Sequence, residues 1–416
     1  MKYFLVGIKG TGMSALACLL SDLGNKVEGS DEDEYYFTED NLIKRNIIIH
    51  KFNEVNLDST YIYIIGNAFN LNNKEVQKII NNNYTYYYYH DFIGNKLNKE
   101  IIAVSGTHGK TTTTKFLYQM VGEKTSVIIG DGTGKGYIHN NQLILEACEY
   151  KNHFLSYNPS LLIITNIELD HSDYFDNIQS VINSFDCLVK QSDIIIANGD
   201  DKNISKIKCN RMIKVGMQDT NDIVFNITKE TNKGYDVHID YIDVNINIPF
   251  LGIHFVYDYI LSYVACYILG LTPNTNNIKL PKRRLEETKY GNTILVNDYG
   301  HHPTEIKAVH DSLRLKYDDM KINVIFQPHT YSRTLKFKKE FKNSLSLFDD
   351  IYIDKVFTSK REGYDKYQQL KIDKIFKNFK SFDIETLNKI NKKKREIWVF
   401  LGAGSVDKYM DRLKWK

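Results

Sequence analysis

The 416-residue sequence has five cysteines, and no two of them form a C-x-x-C pair. That leaves no structural zinc site or disulfide frame and fits a reducing cytosol. An excess of one charge is also missing: 54 basic against 51 acidic side chains give +3. So weak a field favours no polyanion, and no nucleic-acid partner is expected. No apolar run approaches the roughly 18 residues needed to cross a bilayer. KYFLVGI follows Met1 without a charged n-region, a long apolar stretch or a cleavage site. The expectation is a cytoplasmic protein without a membrane partner, and nothing in the sequence fixes an oligomeric state. NKKKRE (391–396) reads as a solvated loop, and YTYYYY (84–89) as a strand rather than a stacking platform.

What is present is alternation. Apolar residues make up 42% of the chain. They recur as short β-branched runs, each followed by a turn signal and a helical pattern. KYFLVGI (2–8), YIYII (61–65), IIAVS (101–105), LLIITN (161–166) and DIIIANGDD (193–201) are such runs. ILVNDYGHH (294–302), INVIFQPH (322–329), DIYIDKVF (350–357) and EIWVFLGAGS (396–405) continue the scheme, and VDKYMDRLKWK closes it as a helix. The pattern predicts parallel, doubly wound α/β sheets. Polar stretches at GNKLNKE (94–100) and LTPNTNN (271–277) divide the chain into three α/β domains in series, 1–97, 98–272 and 273–416. The unusual polar clusters follow strands, at the carboxyl edge where open parallel sheets bind ligands.

The most informative cluster is VSGTHGKTTTT (104–114). A glycine turn between strand and helix gathers backbone N–H groups, and the helix N-terminus adds partial positive charge. Gly106, Thr107, His108, Gly109, Lys110, Thr111 and Thr112 therefore form a candidate phosphate cradle. Lys110 would reach the β- and γ-phosphates and the Thr111 hydroxyl Mg²⁺, although Val104 stands where the strict P-loop pattern has glycine. The alternative is a glycine turn capped by Thr107.

GIKGTGMS (7–14), with GSD (29–31) after it, offers a second diphosphate seat; its spacing departs from the dinucleotide fingerprint, and NAD binding and a purely structural turn both stay open. Glu146 of LILEACE and His171 of TNIELDH end apolar runs beside the cradle and are candidate metal ligands, the histidine being the less expected one for Mg²⁺. Arg283 and Arg284 of KRRLEE either clamp a phosphoryl group or pair with Glu286 and Glu287 at the surface. In NDYGHHPTEI (297–306), Asp298, Tyr299 and His301 crowd one strand end, while Glu305 opens a helix. His329 and Arg333 of FQPHTYSRT either hold a small carboxylate or belong to a capped helix start.

Taken together, GIKGTGMS with GSD, GTHGKTTTT, EACEYKNHF, TNIELDHSDYF, KRRLE, NDYGHHPTEI, FQPHTYSRT and LGAGS resemble, in order, the motifs of the Mur ligases, ATP-dependent amide-forming enzymes of peptidoglycan assembly. The resemblance runs from Gly7 to Ser405. It implies an N-terminal Rossmann-like domain for a UDP-sugar, a central P-loop-type ATPase domain and a C-terminal Rossmann-like domain for an amino acid. The motifs are most similar to those of members that join L-alanine to the lactyl carboxylate of UDP-N-acetylmuramate through an acyl phosphate. A sister ligase with another amino acid or peptide, or a UDP-sugar-binding relative without catalysis, are the alternatives. By resemblance, Lys110 and Arg284 stabilise the transferred phosphoryl group. Thr111, Glu146 and His171 hold Mg²⁺, and Asp298 meets the ATP ribose. Gly10, Gly12, Ser30 and Asp31 seat the UDP moiety, and Tyr299, His301, His329 and Arg333 face the amino acid.

The sequence departs from the family at GIHFVYD (252–258), where G-x-H-N-x-x-N is usual. Phe255 and Asp258 replace asparagines that approach the adenine; Phe255 is expected to stack on the base and Asp258 to accept from its amino group. Cys148 and Asn297 replace aspartates, and Asp186 occupies a position where several relatives carry a carbamoylated lysine.

Overall fold

The alternation read from the sequence is realised as three α/β sheets. The computed structural model describes residues 1–53, 57–358 and 364–414; Trp415 and Lys416, the end of the last expected helix, lie outside the described residues. The chain divides into two compact units. One comprises Met1–Glu168, Ile178–Phe225 and Tyr257–Leu280; the other comprises Leu169–Asn177, Asn226–Val256 and the chain from Pro281 onward.

The first unit holds two sheets. In one, Lys2–Val6 lies between Lys26–Asp31 and Ile62–Ile65, with Ile48–Lys51 and Tyr86–Tyr88 at the edges, all parallel. In the other, Glu100–Ser105 lies between Gln142–Glu146 and Pro159–Ile164, both parallel to it. Ile194–Asn198 and Met212–Gly216 extend that sheet on one side and Ser126–Ile128 on the other. In each sheet the central strand's neighbours are reached by connections that leave in opposite directions, which opens a crevice at its carboxyl end. Both glycine turns emerge there. The central strand EIIAVS is buried from Ile101 to Ser105, as a parallel strand covered on both faces must be.

The second unit is built on a sheet ordered Glu286–Tyr290, Thr293–Asp298, Glu396–Leu401, Lys321–Phe326, Asp350–Ile353 and Lys380–Ser381. The first pair is antiparallel and the rest are parallel. Side-chain alternation splits its core: Val296, Val324 and Val399 pack on one face, Leu295, Ile325, Trp398 and Phe400 on the other. This places NDYGHH, LGAGS and FQPHT at the ends of three adjacent strands.

Candidate functional site

At the first glycine turn the strand Lys2–Val6 stops at Gly7, whose φ is +81°. A Cβ there would sit 2.0 Å from the Phe69 ring, so only glycine fits. Gly10 caps the helix Thr11–Asp22, and Gly12 lies against the Tyr89 hydroxyl. Ser30 is fully buried, and its hydroxyl donates to Glu75. Asp31 accepts the Lys9 and Glu32 backbone N–H groups at 2.8 Å each. The two side chains thus brace the turn; what the turn offers a ligand is backbone.

The second turn is more elaborate. Gly109, at φ +80°, caps the helix Lys110–Val121 without a side-chain capping bond. Thr107 is therefore no cap. Its hydroxyl donates to the Glu168 carbonyl and accepts the Glu168 N–H. Asn166 clamps the loop by accepting the His108 N–H and donating to the His108 carbonyl, both at 2.9 Å. These bonds hold residues 106–109 open against the helix start, the arrangement that binds phosphate. Replacing Gly109 with alanine would place a Cβ 2.4 Å from the Asp258 carboxylate and impose left-handed strain of about 1–2 kcal/mol. Gly109→Ala is expected to relax the loop and weaken binding of a phosphate ligand about tenfold, measurable by calorimetric titration.

Behind the loop, the Thr111 hydroxyl donates to Glu146 Oε1 at 3.0 Å, and the Gly130 N–H donates to Oε2 at 2.6 Å. Burial raises the Glu146 carboxyl above its ordinary range, opposed by Lys110. A hydroxyl and a carboxylate oxygen side by side form the hard donor set that Mg²⁺ prefers, so these residues fit that ion. Lys110 Nζ donates to the carbonyls of Gly106 and Thr107 and lies 3.0 Å from Glu149 Oε2, with the Glu149 side chain buried and that of Lys110 nearly so. Burial disfavours the ammonium, but Glu149 and its acidic neighbours outweigh that and hold its pKa above the usual value. Thr112 is buried in the same helix, and His108 lies 3.7 Å from Glu168.

Among the residues of the second unit, Arg284 pairs with Glu305 at 3.3 Å, not with Glu286 or Glu287. Glu305 also accepts the N–H groups of His301 and His302, so it ties the arginine to the GHH turn. Arg283 instead donates to the carbonyls of Gly402 and Gly404 in LGAGS. Both guanidiniums lie over the Tyr299 ring, at 5.1 and 5.6 Å. Asp298 accepts from the N–H groups of Leu285 and Gly300 at 2.8 and 2.7 Å, and burial raises its carboxyl. Arg283, Leu285 and Thr330 have positive φ without being glycine. Strain of that kind, about 1–3 kcal/mol each, collects at binding sites.

Arg333 donates through Nε and Nη2 to both oxygens of Asp170, at 2.9 and 3.0 Å, and through Nη1 to His329 Nδ1 at 3.0 Å. Its fork is thus filled by the protein. His171, at φ +47°, turns the chain there and accepts the Tyr174 and Phe175 N–H groups on its carbonyl. His301 lies 5.7 Å from His329, ring to ring. Burial drives His301 well below its ordinary pKa; Arg333 and His329 reinforce this, while Glu305 and Asp170 oppose it. Burial, with Arg284, lowers His254 to about 4.

Both histidines have folded pKa values below the unfolded value of about 6.5, so the unfolded state binds the extra protons as pH falls. Their contribution is full above that value and declines as pH falls toward the folded pKa; for His254, at about 4, the loss at pH 5 is about 2 kcal/mol. A melting temperature that falls steadily between pH 7 and 5 is the expected result.

Two expectations change. Phe255 is 2% exposed and packs against His254 at a ring separation of 4.0 Å, so its ring is core and has no face for a base. Asp258, on the same helix, sits under Gly109 instead of standing free to meet an adenine. Asp186, at the position of the carbamoylated lysine in several relatives, pairs with Lys190 one helical turn on at 2.6 Å. Conversely, Glu149, Asp170 and Glu305 hold functional side chains that the sequence made visible without their partners. The acidic residue beside each motif was the available signal.

Two family models match in tandem: "Mur ligase family, catalytic domain" over residues 2–100 and "Mur ligase middle domain" over residues 104–266. Among solved structures, UDP-N-acetylmuramate-alanine ligase MurC from Thermotoga maritima is 21% identical, with a TM-score of 0.80 over 100% of this chain and 98% of its own. The murein peptide ligase of Psychrobacter arcticus is 18% identical, with a TM-score of 0.69 over 100% and 98%. MurF from Acinetobacter baumannii is 14% identical, with a TM-score of 0.63 over 94% and 91%. At such identities these likenesses show the fold, while the paired models identify the lineage: the chain belongs to the Mur ligase family, and it is a ligase.

Proposed function

We propose that the chain joins L-alanine to the lactyl carboxylate of UDP-N-acetylmuramate at the expense of ATP. The observation that carries this is the Gly106–Thr111 loop, with the Thr111 hydroxyl bonded to Glu146 at the switch point of a parallel sheet. The full-length likeness to MurC supports the choice of acceptor and amino acid.

A carboxylate is a poor electrophile at neutral pH, and phosphorylation remedies that. A lactyl oxygen attacks the γ-phosphorus, the bond to the β-phosphate oxygen breaks and ADP leaves. The amine of L-alanine then adds to the acyl carbon, the C–O bond to phosphate breaks with its electron pair leaving on phosphate, and the nitrogen gives up a proton. Lys110 and Arg284 spread the charge on the phosphoryl oxygens, with Glu305 keeping Arg284 in place. Thr111 and Glu146, with His171, are the groups that would hold Mg²⁺, which supplies Lewis-acid charge. The 106–112 loop seats the triphosphate, and Asp298 orders the turns near the ribose. Gly10 and Gly12 offer the backbone for the UDP diphosphate, braced by Ser30 and Asp31. On the amino-acid side Tyr299, His301 and His329 face the amine donor, and Arg333 orients His329. In this reading, residues 1–97, 98–272 and 273–416 serve the UDP-sugar, ATP and amino acid in turn.

A second reading, a sister ligase with another amino acid or peptide, is favoured by the likeness to the murein peptide ligase. Phosphate release from MgATP with UDP-N-acetylmuramate tests both. Release that requires L-alanine supports the first, and release only with a tripeptide supports the second. No release with any amine donor, together with measurable UDP-sugar binding, would favour a lapsed enzyme.

A further inference from the structure

Lys110 Nζ hydrogen-bonds to two loop carbonyls and forms an ion pair with one carboxylate. An ammonium carries three donors. Three oxygens surround this one: Gly106 O at 2.5 Å, Thr107 O at 2.9 Å and Glu149 Oε2 at 3.0 Å. Two of the three belong to the loop backbone, which Asn166 and Thr165 hold from behind. Glu149 is the one partner on a side chain, and the one that carries charge. It is 1% exposed, so water does not screen the pair.

We propose that Glu149 is a positioning residue that stands in for phosphate on Lys110 in the ligand-free enzyme and releases it when a nucleoside triphosphate binds. The inference rests on the reading of residues 106–111 as the triphosphate site and goes beyond it. The carboxylate keeps the ammonium charged, buried and aimed while the site is empty, and an incoming phosphate oxygen takes its place. The exchange replaces one anion by another around the same cation, so no unpaired lysine charge is buried at any stage. It also sets nucleotide affinity, because every bound triphosphate must first outcompete Glu149.

Glu149→Gln keeps the shape and removes the competing charge. MgAMP-PNP, a non-hydrolysable analogue, is expected to bind this variant about tenfold more tightly than the wild-type protein, whereas damage to the fold would weaken binding. Wild-type or weaker affinity in a variant with an unchanged melting temperature would overturn the proposal. A second measurement needs no variant: a crystal structure of the unaltered protein with Mg²⁺ and the same analogue. Lys110 Nζ should then lie on a phosphate oxygen and Glu149 beyond ion-pair reach. Phosphate contact with the Glu149 pair intact would refute the exchange and leave the triphosphate site standing. An analogue bound with no contact to Lys110 would refute the site itself, as would equal affinity of the Lys110→Met variant.

Discussion

Lys110→Met is expected to lower ATP-dependent phosphate release by about 10³ or more, the scale set by removing a preorganised charge from a developing phosphoryl transition state. The methionine fills most of the volume but removes the ammonium that lies 3.0 Å from Glu149, which is 1% exposed. Breaking a buried ion pair by removing one partner costs about 3–5 kcal/mol, so the variant should also melt earlier. The two effects separate in the double variant Lys110→Met/Glu149→Gln, which removes both charges of the pair. It should regain stability and remain inactive. Release measured well below both melting transitions decides the matter, and full activity in the single variant would remove Lys110 from the chemistry. Lys110→Arg is not a rescue, because a planar fork cannot replace a point charge ringed by two carbonyls and a carboxylate.

The sequence carried the architecture because its signals are local. β-Branched runs followed by glycine turns identified the strands that reach each crevice. The same strands, buried on both faces, leave their polar ends as the places where ligands can be met. What stayed hidden depends on separation in the chain. Asp170 and Arg333 are 163 residues apart, and Ser30 meets Glu75 across 45. No spacing rule joins such pairs, so Arg333 read as a carboxylate binder and Ser30 as a ligand contact. Phe255 went astray for another reason. A motif comparison assigned it the place of an asparagine, whereas a phenylalanine on the apolar side of the helix Ile253–Ile268 gains more from the core than from a ligand.

Asp170→Ala is expected to destabilise the protein by about 3–5 kcal/mol, because it leaves the Arg333 guanidinium buried without its counter-charge. Side-chain exposures of 6% for Asp170 and 8% for Arg333 put the pair beyond useful solvent screening. Burial alone would raise the Asp170 carboxyl, but Arg333 outweighs it and holds the group well below its ordinary value. The sign follows from that depression: the pair's contribution is full above about pH 4 and is lost only as pH falls toward the folded pKa. Asp170→Asn keeps one acceptor oxygen and should cost less. Asp170→Leu with Arg333→Met, which removes both charges, should recover much of the loss, as buried pairs replaced by apolar side chains commonly do. The recovery would not extend to the proposed amino-acid side, because Arg333 also donates to His329 Nδ1 and so orients that ring. Urea denaturation of the wild type, Asp170→Leu, Arg333→Met and the double variant gives the coupling energy. Steady-state kinetics should show the double variant stable but with a raised KM for the amino acid. A single Asp170→Ala variant within 1 kcal/mol of wild type would mean that solvent reaches Arg333 and that His329 is oriented by something else.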